Sequence, residues 1–281
     1  MTAQQMTAPL GVFDSGLGGL TVVRQLQRVF PSLSIIYYGD TARVPYGTKS
    51  PDTVTKFSRQ IVDFLIAQQV QAIMVACNTA SAAAVPRIRH EYSVPIYGVV
   101  EPGARTAADV TRTGHIGVIG TNSTIRTSVY TKAIRKIDTA IQVYGQPCPL
   151  FVPLVEEGRE DHQVTDIVAR EYLEPLMEEE IDTLILGCTH YPLLINTLKR
   201  ILPENITIID SGVAAANALT GILSHDTDPN PLYKYFVSDM PEKFMEIGAR
   251  FLGHSMGNVY YFDVDRPWTP EEISLAPAIS E

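Results

Sequence analysis

Thiols are scarce in this chain: 281 residues hold three cysteines, Cys77, Cys148 and Cys188, with no C-x-x-C pair. So sparse and odd a set speaks against a disulfide framework and fits a reducing compartment, so a cytoplasmic protein is expected. Positive charge is also short. Lys and Arg number 22 against 31 Asp and Glu, a formal net charge of −9, and no basic block occurs anywhere. Neither a nucleic-acid partner nor an anionic membrane is therefore expected. No apolar run approaches membrane-spanning length, and residues 1–10 lack both the basic and the apolar region of a signal peptide. Two nucleotide motifs are missing as well. In G-L-G-G-L-T, Thr21 stands where G-x-G-x-x-G requires its last glycine, and no G-x-x-x-x-G-K-[ST] loop exists, so dinucleotide and ATP binding have no support.

What the chain does contain is a long alternation of short β-branched runs with amphipathic stretches, the pattern of an α/β fold with mainly parallel strands. Strands are predicted near residues 10–13, 35–38, 72–76 and 96–100, with helices near 20–30, 52–68 and 80–90. A second set has strands near 115–119, 141–144, 183–186 and 206–209, with helices near 123–137, 161–179, 192–201 and 213–223. Segments at 233–237, 241–251 and 259–264 are expected to pack back onto one domain. The pattern gives two similar doubly wound α/β domains. One comprises residues 9–100 with a returning segment at about 213–265, the other residues 101–212, and 1–8 and 269–281 are tails. Ligands bind beyond the carboxyl ends of such strands, so the site is expected in the cleft between the domains.

Two of the three cysteines occupy matching settings. Cys77 lies in I-M-V-A-C-N-T-A-S and Cys188 in L-I-L-G-C-T-H-Y-P, each ending an apolar strand where a helix begins. A single cysteine there is ordinarily a small core residue. Two in equivalent places, each followed by polar side chains (Asn78-Thr79 and Thr189-His190), suggest a weak internal duplication and a shared chemical task. A helix start favours the thiolate through its dipole and free N–H groups. Asp14-Ser15 follows the first strand in F-D-S-G-L-G-G, where Asp14 is either a helix cap or a ligand contact. Pro45-Tyr46-Gly47 lies in a loop after another strand, an ordinary turn by composition but well placed for a ligand. Glu156 and Glu157 are either solvent-facing acids or, at a cleft, partners for an imidazole or an ammonium group, and His190 stands close enough to Cys188 to share a proton with it. Cys148, between two prolines, reads as structural.

Four motifs in combination, F-D-S-G-x-G-G at 13–19, G-D with V-P-Y-G at 39–47, A-C-N-T-A at 76–80 and G-C-T-H-Y-P at 187–192, resemble the glutamate racemases, a family of the aspartate/glutamate racemase superfamily. The resemblance spans residues 9 to about 260. It implies a cofactor-independent amino-acid racemase that interconverts L- and D-glutamate for peptidoglycan synthesis, with a small-molecule substrate, glutamate, and a homodimeric assembly. Carried over by motif, it makes Cys77 and Cys188 the proton-transfer residues, with Asp14, Glu156 and His190 as the ionisable groups beside them. It assigns substrate contacts to Asp14, Ser15, Pro45, Tyr46, Gly47, Asn78, Thr79, Thr121, Thr124, Thr189 and His190, pairs Cys77 with D-glutamate and Cys188 with L-glutamate, and implies no metal. Three other readings stay open on sequence alone: a racemase or isomerase of another amino or dicarboxylic acid, a zinc protein using Cys77, Cys188 and His190, and a non-catalytic binding module for acidic amino acids, which would not need two thiols.

Overall fold

The structure is a computed structural model that describes residues 8–223 and 230–279. It opens with β1 (Leu10–Asp14), α1 (Leu20–Val29), β2 (Ile35–Gly39), α2 (Pro51–Ala67), β3 (Ala72–Val75), α3 (Asn78–Ala83), α4 (Val85–Ile88) and β4 (Ile96–Gly98). Next come α5 (Val100–Val110), β5 (His115–Gly120), α6 (Asn122–Arg126), α7 (Val129–Arg135), β6 (Gln142–Pro147), α8 (Phe151–Glu156), α9 (Gln163–Glu178), β7 (Thr183–Gly187), α10 (Ile195–Ile201), β8 (Thr207–Asp210) and α11 (Ser211–Ala218). The chain returns through β9 (Tyr233–Val237), α12 (Pro241–Leu252), β10 (Val259–Tyr261), α13 (Pro270–Ser274) and β11 (Ala278–Ile279).

Among the described residues these strands form two sheets, ordered β11-β10-β9-β2-β1-β3-β4 and β6-β5-β7-β8. Every pairing is parallel except β10 with β11. β1, β2, β3 and β7 are buried along their whole length, which is why they read as continuous apolar runs and not as alternations. The order β2-β1-β3-β4 recurs as β6-β5-β7-β8. In both, the direction of winding reverses beside the first strand, between β1 and β3 and between β5 and β7. A crevice opens at the carboxyl ends of strands at such a switch point. Those ends carry Asp14 and, two residues beyond β3, Cys77 in one sheet, and Thr121 and Cys188 in the other.

The two sheets share a core. One apolar cluster runs from Leu10 and Val12 of β1 through Leu20, Val23 and Leu26 of α1 to Ala215 of α11 and Leu184 and Leu186 of β7. The first sheet has a second cluster centred on Phe64, whose ring lies 5.1 Å from those of Tyr38, Phe236 and Phe262. This continuity fixes where the two switch points stand relative to each other.

Several elements differ from expectation for local reasons. α5 stands between the strands expected at 96–100 and 115–119, where no helix is expected; its Pro102 lies in the first helical turn, where proline gives up only an N–H that has no partner there. The helix expected at 80–90 splits into α3 and α4, since Pro86 has no N–H to continue the ladder. The one expected at 123–137 splits at Ser128, whose φ of 52° is left-handed. The tail expected from 269 is instead α13 and β11. Thr269 and Glu272 form a capping box, Ile273 is buried in the Phe64 cluster, and β11 pairs with the sheet edge. Apart from Ala8, the tail expected over 1–8 lies outside the described residues, as do residues 280 and 281.

Candidate active site

The first half of the site grows from β1 and β3. Asp14 ends β1 and is 1% exposed; its Oδ2 accepts the Gly16 N–H at 3.0 Å, while its Oδ1 has no hydrogen-bond partner. Cys77 caps the N-terminus of α3, its sulfur accepting the Ala80 N–H at 3.4 Å and lying 3.7 Å from Ser15 Oγ. The helix start does not deliver the thiolate expected there. Burial first, then the charge of Asp14, push the Cys77 thiol up to about 12, against the opposing pull of the Ala80 N–H and the Ser15 hydroxyl. Desolvating an anion outweighs the partial charges of a six-residue helix. Asp14 itself is raised by burial, and His190 and the N–H groups of Gly16, Gly19 and Ser15 only partly offset that.

The second half grows from β7 and α8. Cys188 follows β7 directly, and its Sγ lies 3.9 Å from His190 Nδ1. The other ring nitrogen, Nε2, is 2.9 Å from Glu156 Oε1. Glu156 is thus a partly buried partner of an imidazole, whereas Glu157 is exposed. Burial works against charge on His190, but its hydrogen bonds to Cys188 and Glu156, and their charges, win and lift it to about 10. The same contact takes the Glu156 carboxyl below its ordinary value in spite of desolvation.

Contacts across the junction bring the halves together. A Cβ on Gly18 would stand 2.3 Å from Thr189 Oγ1 and 2.5 Å from His190 Nδ1, so only glycine permits this approach. Thr21 Oγ1 donates to Thr189 O at 2.8 Å. Thr79 Oγ1 lies 3.1 Å from Thr121 Oγ1 and 3.5 Å from Thr124 Oγ1, and Gly47 packs on Thr121. Asp14 and His190 feel each other's charge, as do Cys77 and Cys188. Asp14, Ser15, Gly47, Asn78, Thr79, Thr121, Thr124, Thr189, His190, Glu156 and both thiols therefore gather at one junction. Of the remaining expected residues, Pro45 is exposed, and the buried Tyr46 turns its hydroxyl onto Asp40 while packing in one cluster with Cys77 and feeling its charge.

Three supporting side chains were not among the expected site residues. Tyr130 of α7 donates to Asn78 Oδ1 at 2.6 Å, Ser211 Oγ accepts from Asn78 Nδ2 at 3.4 Å, and Tyr37 donates to Gly16 O at 2.7 Å. Ser211 was visible only as part of a polar strand end, and Tyr37 only through the register that sets it opposite Val12. Among the described residues no three His, Cys, Asp or Glu side chains are grouped to hold a metal ion. Nor is any helix there long and apolar enough to cross a membrane.

A two-domain α/β enzyme with a buried, ionisable site where two sheet switch points meet is the class defined by this fold and site. The Asp/Glu/hydantoin racemase family model matches residues 20–219. A glutamate racemase of Geobacter metallireducens is 48% identical over 261 residues, covering 91% of this chain and 97% of that protein. The crystal structure of a glutamate racemase isoform from Bacillus anthracis superposes with a TM-score of 0.87 at 42% identity, over 91% of this chain and 97% of that one. A glutamate racemase from Francisella tularensis, solved in complex with D-glutamate, gives 0.86 at 39% identity, over 92% and 98%. The chain belongs to the Asp/Glu/hydantoin racemase family and is an amino-acid racemase.

Proposed function

We propose that this enzyme interconverts L- and D-glutamate by a two-base mechanism in which Cys77 and Cys188 serve opposite faces of the α-carbon. Racemisation takes a proton from one face and returns one to the other, so one base and one acid must flank the stereocentre. Near-attack contacts of about 3–3.5 Å on each side call for sulfurs roughly 7 Å apart. The observation that carries the reading is that both switch-point thiols are brought to one buried junction, close enough for the charge of one to act on the other. The relatives named above favour glutamate among the family's substrates.

The two sides are supported differently. Cys77, beside Ser15, is protonated and so stands as the acid that returns a proton to the carbanion, and Cys188 faces an imidazole that Glu156 holds protonated. Reversal of direction exchanges these roles. The unpartnered Asp14 Oδ1 is an acceptor for the substrate ammonium group. The Asn78 amide and the hydroxyls of Ser15, Thr79, Thr121, Thr124 and Thr189 are donors for its carboxylates. Closure keeps water from the carbanionic charge, which fixed donors must stabilise. The product serves peptidoglycan synthesis in the cytoplasm. The expected assembly is a homodimer, which light scattering on the purified chain decides.

Cys77→Ala and Cys188→Ala should each abolish racemisation, read by chiral chromatography from pure L-glutamate and pure D-glutamate. Solvent deuterium should enter the α-position with wild-type protein and no added cofactor. Near wild-type racemisation by either variant sinks the paired-thiol reading.

A further inference from the structure

α8 is only six residues long, too short to be stable alone, and its last carbonyls have no partners within the helix. The following turn takes up two of them, Arg159 N–H donating to Leu154 O at 2.8 Å and Gly158 N–H to Val155 O at 3.1 Å, and a side chain from the other sheet's α12 joins that turn and also meets Glu156 O. Arg250 Nη2 donates to Val155 O at 2.6 Å and to Glu156 O at 3.0 Å, and its Nε pairs with Glu160 Oε1 at 3.3 Å. Gly158, with a left-handed φ of 67°, makes room for the fork: a Cβ there would stand 2.5 Å from Arg250 Nη1. The next residue, Phe251, sets its ring edge-on to His190 with centroids 5.2 Å apart.

We propose that Arg250 is a positioning residue for the Cys188 half of the site, acting across the junction by clamping the turn after α8 so that Glu156 stays aimed at His190. This rests on the two-thiol reading above. Glu156 needs such a clamp, because its side chain is 39% exposed and borders a surface cavity of about 360 Å³ walled by Glu157, Lys243, Glu246 and Arg250. A carboxylate released from His190 has water and that cavity to turn to. The charged and titratable groups facing His190 and Glu156 are Asp14, Cys188, Lys243 and the two residues themselves. Without Glu156 held in place, burial dominates and His190 gives up its proton more readily. Arginine suits the task because its planar fork spans two carbonyls and a carboxylate at once.

The test uses the full chain. Arg250→Ala should lower kcat at least tenfold with KM for glutamate within about twofold, and the His190 imidazole, followed by ¹⁵N NMR, should titrate at least one pH unit lower than in the wild type. In a Glu156→Gln background the same change should cost less than twofold. An unmoved His190 titration, or a loss in the Glu156→Gln background equal to that in the wild type, overturns the proposal. If Arg250→Ala does not fold, Arg250→Lys, which keeps the charge and loses the fork, takes its place with the same readouts. The titration needs no turnover, so its outcome is independent of whether the cysteine variants retain racemisation.

Discussion

Asp14 combines nearly complete burial with a carboxylate oxygen that no group in the protein satisfies. Its raised pKa records what that arrangement costs the folded state. Asp14→Asn removes the buried charge while its amide oxygen can still accept the Gly16 N–H. The variant should melt about 2–4 °C higher, the effect of roughly 1 kcal/mol in a chain of this size, while racemisation falls on the order of 100-fold. Differential scanning fluorimetry and the chiral assay read the two sides, and a variant with lower stability and unchanged activity contradicts the role. At this scale much of the site was legible. Cys77, Cys188, Asp14 and His190 stand at strand ends in paired motifs, and all four meet. The ionisation of Cys77 was not legible, because the helix start is written locally whereas burial and the nearness of Asp14 arise only once β1 and β3 pair.

Elements, not motifs, supply the supports. α3 presents Asn78, but the group that fixes its amide is Tyr130, from a helix that follows β5 in the other sheet. Tyr130→Phe leaves Asn78 Oδ1 buried with no donor from Tyr130, a loss of about 1–3 kcal/mol. A lowered urea midpoint is expected, with KM for glutamate up several-fold and kcat changed less, because Asn78 is assigned to binding. A change confined to kcat would move Asn78 from binding to chemistry. β1, β2, β3 and β7 were legible for the reason that they are buried along their whole length: apolar runs bounded by polar ends leave little choice of period. Helix breaks at Pro86 and Ser128, and the short α8 and α13, were harder. Each depends on caps, a left-handed residue or contacts from distant segments. Arg250 belongs to the same group, since nothing near it in sequence points to a turn some ninety residues earlier.

Across the whole molecule, ionisation shapes stability at both ends of the pH range. His190 is raised from 6.5 to about 10, so its contribution is complete below about pH 6.5 and disappears as pH climbs through 10. Cys77 acts in the same direction, since the unfolded thiol ionises near 9 while the folded one holds its proton to about 12. On the acid side, Asp182 accepts hydrogen bonds from Thr111, Arg112, Thr113 and Thr183. Against desolvation these hold its carboxyl well below its usual range, so its contribution is present above about pH 3.8 and lost as pH falls. Urea midpoints measured across pH should therefore form a plateau near neutrality with a decline from about pH 7 to 10 and another below pH 4. His190→Gln should flatten the alkaline decline, and an alkaline limb of unchanged steepness in that variant would remove His190 from the account.

The close approach of Gly18 to Thr189 and His190, and the bond from Thr21 to Thr189 O, hold the two halves together around thiols that are only 6% and 7% exposed. A molecule the size of an amino acid is expected to reach such thiols only when the two halves part. Each round of chemistry is then expected to be a mechanical stroke as well, out and back, and turnover cannot outrun that breathing however sharp the thiols are made.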